Sequence, residues 1–235
     1  FGLALIAALM SVESGKTTVE NAERYFGVRG KQFFAFIIIA SLSCWFAIQT
    51  QVMSGDIVKL LSYCIGYAVP RVIINGLMAL IMVGCALFGL RGVAMLANCT
   101  LPLMIVTLAI SLLFAAKASD KSILTENLVT FSPVGLSLVI AAAIAAVVDL
   151  STFFRHAKGK KDALVASCAT FLIGIPLVEV VGVLLGFWAS SKSLTDALLC
   201  IDHSLLRVWV ALFILFAGWT TNNTNLYSAA MSLQS

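Results

Sequence analysis

Charge-free runs divide the chain. Residues 32–55, 72–90, 92–116, 127–148 and 208–235 form such runs, and a sixth apolar stretch, 162–188, is interrupted by Glu179. Each is close to or above the roughly 20 residues that a helix needs to cross hydrocarbon, so each is predicted to be a membrane-spanning helix. Residues 1–12 are also uncharged but too short to cross. No basic region precedes Phe1, so this run does not read as a signal peptide. It is expected to be the tail of a helix whose start lies before Phe1. The run at 208–235 likewise stops without a polar terminus. The expected organisation is one transmembrane domain, 1–235, truncated at both ends.

Composition fixes the solvent. The 235 residues are 61% hydrophobic and 11% charged, against about 45–50% and about 25% in a soluble domain. An all-α, polytopic membrane protein follows. Loop 11–31 carries Lys16, Arg24, Arg29 and Lys31, the turn at Gly89 to Gly92 carries Arg91, and loop 155–161 carries Arg155, Lys158, Lys160 and Lys161. These alternate loops are predicted to be cytoplasmic, with loop 117–131 outside. The net charge of +4 is thereby a matter of topology, and no nucleic acid is implied. The six cysteines are scattered and read as small buried hydrophobes.

Glu13-Ser14-Gly15-Lys16-Thr17-Thr18 resembles a phosphate-binding loop, but Met10 stands where the first glycine is required and a membrane helix stands where a strand is required. A nucleotide site is therefore not expected. The segment Arg24-Tyr25-Phe26-Gly27-Val28-Arg29-Gly30 has the amphipathic character of a chain lying at the inner interface.

Two polar constellations interrupt the apolar spans. Thr220, Thr221, Asn222, Asn223, Thr224 and Asn225 continue directly from the run that starts at Val208. At that depth each needs a partner, so the patch must face other helices or a wet cavity. In the span 32–55, Trp45 and Gln49 lie four apart and share one helix face. An indole beside an amide can stack a flat heterocycle and bond its edge; equally, the pair can serve helix packing. Acidic residues in spans are functional candidates by default. Asp149 lies close to the basic loop and is expected to pair with Arg155 or Lys158, whereas Glu179 lies deeper and is the candidate for a proton-linked role. No span presents a nucleophile–base pair or a metal-ligand cluster, so an enzyme is not expected, nor is any cofactor.

Trp219-Thr220-Thr221-Asn222-Asn223 with Leu226-Tyr227, Gly15-Lys16-Thr17-Thr18 with Phe26-Gly27-Val28-Arg29-Gly30, and Trp45 with Gln49 together resemble the nucleobase–cation symporter family, which includes cytosine/purine and hydantoin or allantoin permeases. The resemblance covers nearly the whole chain, from the end of span two to span eight. It implies an incomplete LeuT-type fold, in which inverted repeats surround a midplane site. It further implies that Trp45, Gln49 and Asn222 contact the substrate, with Ala143 at the sixth-span position where relatives place a second contact. Ala217 through its carbonyl, Thr220 and Thr221 match the cation positions. A pair of alanines, Ala142 and Ala143, makes the expected substrate sandwich one-sided, and Glu179 has no equivalent in the family pattern. Without a first span, the chain by itself is not expected to transport.

The expected function is secondary active import of a nucleobase such as cytosine, or a related planar heterocycle, by cation symport across the cell (inner or plasma) membrane. Sodium is the expected coupling ion, with a proton on Glu179 as the other possibility. The alternatives are an amino-acid or amine carrier of the same fold and a seven-span receptor or channel-like protein. The expected partners are the small-molecule substrate and the lipid bilayer.

Overall fold

In the computed structural model, residues 1–67, 69–118, 132–189 and 204–235 are described. They are helical almost throughout, with no strand among them. In chain order the helices are α1 (Gly2–Ser14), α2 (Thr18–Ile65), α3 (Arg71–Ala86), α4 (Gly89–Ala118), α5 (Pro133–Val148), α6 (Leu150–Phe154), α7 (Lys160–Cys168), α8 (Ile175–Ala189) and α9 (Ser204–Gln234). A π-helical turn, Ala169–Gly174, joins α7 to α8.

Four stretches among the described residues are long and apolar enough to cross a membrane: Thr18–Ser62, Gly89–Leu113, Pro133–Phe154 and Lys160–Leu184. The chain is thus a helical protein of the membrane-embedded kind. Its outward faces agree, since Phe36, Val72 and Leu80 are each at least 70% exposed, an arrangement that suits lipid and not water. The run at 72–90 is shorter than its charge-free length suggests. α3 holds 16 residues, because the chain turns at Leu87 and Phe88 and not at Gly89 to Gly92 as the glycines suggested. Gly92 is instead inside α4 and Arg91 in its first turn. The loop 117–131, expected on the outside, lies, apart from residues 117 and 118, outside the described residues.

The Gly15-Lys16-Thr17-Thr18 stretch is a helix-to-helix turn. Gly15 takes φ 64° and donates its N–H to the Ser11 carbonyl, closing α1 in the left-handed conformation that glycine adopts without cost. Two residues later, the Thr17 N–H donates to a Glu20 carboxylate oxygen at 2.6 Å while the Glu20 N–H donates to Thr17 Oγ1 at 3.1 Å. This reciprocal pair is a capping box, which satisfies two of the amides that a helix start leaves open. α2 then bends at Gly27, whose φ of 68° and ψ of −177° lie outside the helical region and are open almost only to glycine. A short helix over 18–26 is thereby separated from the long apolar helix that follows.

Pro176 accounts for the π-turn. Lacking an N–H, it cannot donate to the carbonyl four residues earlier, and the widened turn over Ala169–Gly174 precedes it directly. Glu179, on α8, is exposed.

The described residues group into two compact units. One comprises Phe1–Ala40, Asp120–Val180 and Ala230–Ser235; the other comprises Ser41–Ser119 and Val181–Ala229. In the first unit α1 packs on α6 and α7. Ser11 Oγ donates to the Ser151 carbonyl at 2.7 Å and Thr18 Oγ1 to the Val148 carbonyl at 2.6 Å. Asp149 stands at the junction of α5 and α6. In the second unit, buried Met53, Ile74, Met78 and Met82 form a core from α2 and α3, against which Phe46, Leu215, Trp219 and Leu226 pack. Gly218 permits close approach there: a Cβ on it would stand 2.6 Å from Met53 Sδ.

Candidate functional site

The two polar constellations meet in the second unit. Gln49 and Thr50 are consecutive on α2, and Asn222 and Asn225 lie three apart on α9, so each pair spans adjoining faces of its helix. Asn225 Nδ2 donates to Gln49 Oε1 at 3.3 Å. Asn222 Nδ2 donates to Thr50 Oγ1 at 2.9 Å and to Met82 Sδ at 3.4 Å. The Thr50 hydroxyl donates onward to the Phe46 carbonyl at 2.7 Å, so amide, hydroxyl and backbone form a polarised chain. The other side of α9 is held to α4. Thr220 Oγ1 donates to the Phe216 carbonyl at 2.7 Å and lies 2.6 Å from Thr100 Oγ1. Trp209 Nε1 donates to Thr107 Oγ1 at 2.9 Å.

Several polar atoms of α9 are buried with no hydrogen-bond partner among the described residues: Trp219 Nε1, Asn222 Oδ1, both side-chain atoms of Asn223, and Ser228 Oγ. Asn222, Asn223 and Ser228 are each 0% exposed. An unmade hydrogen bond of this kind costs about 1–3 kcal/mol, whereas an apolar group of similar shape costs little. Asn223→Leu is therefore expected to raise thermal stability in detergent by about 1–3 kcal/mol, read as an upward shift of the unfolding midpoint. A fall of similar size would mean that the Asn223 amide is satisfied in the folded protein.

Of the substrate positions, Gln49 and Asn222 are brought to the same α2–α9 contact. Trp45, one turn before Gln49, is 41% exposed and stands clear of the core. The side chain of Ala143 lies outside the described residues. Of the cation positions, Thr221 Oγ1 donates to the Ala217 carbonyl at 2.9 Å on an exposed face, while the Thr220 hydroxyl turns to Thr100. The two adjacent threonines thus point to different neighbours.

Sequence reasoning passed over Thr100 and Thr107 as partners. A signal was present: Thr100, Thr107 and Ser111 recur at 7 and 4 along an otherwise apolar span, and all three are buried. Such spacing marks one helix face turned to a polar neighbour.

The two helix stretches carry no charge of their own, and the Arg71 guanidinium beside them donates to the Gln51 carbonyl and to Ser54 Oγ. Residues 41–55 and 208–229 contain no ionisable carboxylate, ammonium, guanidinium or imidazole. Among the described residues, no group of three His, Cys, Asp or Glu stands close enough to hold a metal ion. The arrangement therefore offers amide donors and acceptors, hydroxyls and an indole face, which suits recognition of a neutral, planar, hydrogen-bonding molecule. No family model and no curated protein sequence matches the chain.

Proposed function

We propose that the protein is a secondary transporter of a nucleobase-like planar heterocycle, driven by a cation gradient, with a LeuT-type arrangement of spans in the cell membrane. The observation that carries this reading is the uncharged amide cluster of Gln49, Asn222 and Asn225 joining two apolar helices one turn from Trp45. An aromatic face and amide edges are what a flat heterocycle with alternating donors and acceptors requires. Residues 41–55 and 208–229 hold no carboxylate to meet an amine, and the nearby Arg71 guanidinium is engaged by the Gln51 carbonyl and Ser54, which favours a neutral heterocycle over an amine or an amino acid. The Ala217 carbonyl and Thr221 hydroxyl supply neutral oxygens of the type that a small hard cation prefers.

The test is equilibrium binding of a radiolabelled panel to the intact protein in lipid nanodiscs: cytosine, uracil, hypoxanthine, a hydantoin, a neutral amino acid and an amine, each with and without sodium. Saturable binding of one or more heterocycles, with the amino acid and amine excluded, is expected. Binding of the amino acid or amine alone would replace this reading.

A further inference from the structure

The first unit carries a second surface with different chemistry. Residues 16–31 and 155–161 hold eight basic side chains between them: Lys16, Arg24, Arg29, Lys31, Arg155, Lys158, Lys160 and Lys161. Two ion pairs join residues 13–20 to 155–160: Glu13 with Lys160, and Glu20 with Arg155 at 3.8 Å. A third, Glu23 with Lys31 at 2.7 Å, lies within the first segment. The Lys160 ammonium, hydrogen-bonded to Glu13, holds that carboxyl below its ordinary value. The three glutamates are thereby engaged. Arg24, Arg29, Lys158 and Lys161 remain exposed, with no ion pair among the described residues.

Exposed aromatic side chains stand beside these cations. Tyr25 and Phe26 directly follow Arg24 and are 63% and 62% exposed, and Phe36, on the helix beyond Gly27, is 70% exposed. A groove of about 490 Å³ runs along this helix from Lys31 and Gln32 to Phe36 and Ile39, with Ser232, Leu233 and Ser235 on its other side, so its α2 wall changes from polar to apolar within two turns. Headgroup and acyl chain of a lipid present the same order of chemistry to the protein.

We propose that this end of the first unit is a binding surface for anionic phospholipid. Arg24, Arg29, Lys158 and Lys161 meet the headgroups, and Tyr25, Phe26 and Phe36 sit at the boundary between headgroups and chains. The ion pairs between segments 11–20 and 155–160 have a stated part in this. They neutralise Glu13 and Glu20, leaving Asp162 beside Lys161 as an exposed carboxylate, and they hold two separate basic stretches at one end of the unit. Clusters of four or more basic residues at a membrane surface attract anionic lipid in this way, and the attraction weakens as salt rises.

The test uses the intact protein in micelles containing equal amounts of phosphatidylglycerol and phosphatidylcholine, with the lipid that co-purifies measured by mass spectrometry. The wild type is expected to retain phosphatidylglycerol in excess, and raised salt is expected to reduce the excess. Combined Arg24→Gln, Arg29→Gln, Lys158→Gln and Lys161→Gln substitutions, all at exposed positions, are expected to lower that preference about tenfold or more. Arg91→Gln, in the second unit, is expected to leave it unchanged. Millimolar inorganic phosphate is expected not to displace the lipid; displacement would mean a general anion site and would overturn the proposal. Equal retention of both lipids by the wild type, or an undiminished preference in the fourfold variant, would overturn it as well.

Discussion

Trp45→Ala is expected to weaken heterocycle binding by about tenfold or more. Stacking of a base on an aromatic side chain contributes about 1–3 kcal/mol, and each 1.4 kcal/mol is roughly a factor of ten in affinity. The position makes the experiment clean. Trp45 is 41% exposed, whereas its neighbour Phe46 packs against the methionine core. Removing the indole therefore takes away a stacking face without opening the packed interior. Gln49→Leu is expected to act differently. It deprives Asn225 Nδ2 of its acceptor, so it alters which heterocycles bind and not only how tightly. Isothermal titration of both variants in nanodiscs separates the two effects. Unchanged affinity in Trp45→Ala together with unchanged selectivity in Gln49→Leu would remove substrate binding from this contact.

The second large effect is expected at the cation positions, and the geometry divides it between two residues. Thr221 is exposed and bonds only within its own helix. Thr221→Val, which keeps the shape, is therefore expected to abolish sodium dependence of substrate binding while leaving the thermal midpoint unchanged. Thr220 joins α9 to Thr100 on α4. Its replacement by Val is expected to cost about 0.6 kcal/mol in stability, the average for hydroxyl and amide contacts between spans, in addition to any effect on the ion. Linkage supplies an internal check, since the factor by which sodium raises substrate affinity must equal the factor by which substrate raises sodium affinity. Glu179→Gln is expected to leave that reciprocity intact. Binding that ignores sodium, responds to pH and loses the response in Glu179→Gln would assign the coupling to a proton.

Runs and caps were legible in the sequence to different degrees. Apolar runs reported helices because a chain in lipid must satisfy its backbone internally, so 32–55 and 92–116 fall within α2 and α4. Their ends were less legible. The turn at Leu87 and Phe88 consists of apolar residues, and nothing in hydropathy distinguishes them from the helix they terminate. Gly15-Lys16-Thr17-Thr18 drew attention for its likeness to a phosphate-binding loop, while Thr17 and Glu20, spaced as a capping box, carried the local signal. At the candidate site the residue types were readable and their partners were not. Gln49 was singled out and Thr50 beside it was not, because which of two consecutive residues meets Asn222 depends on the rotation of α2 about its axis. Asn223 shows the same limit from the other side: its residue type is as polar as that of Asn222, and only the fold distinguishes a bonded amide from an unbonded one.

The polar patch on α9 has a consequence for the order in which the protein is made. The first half of that helix is apolar from Val208 to Phe216, but Thr220 to Asn225 place six hydroxyl and amide side chains in its second half. Such a segment partitions poorly into bilayer when it leaves the translocon alone, since the amides of Asn222, Asn223 and Asn225 then face hydrocarbon, whereas the threonine hydroxyls bond to carbonyls of their own helix. Thr50, Thr100 and Gln49 are the groups that relieve it, and they belong to α2 and α4, which are synthesised more than a hundred residues earlier. If α9 spans the membrane as its apolar run predicts, its insertion is expected to be an act of assembly on helices already there. Weakening Thr50 or Thr100 would be felt first as a failure of biogenesis, in a protein whose earlier spans had entered normally.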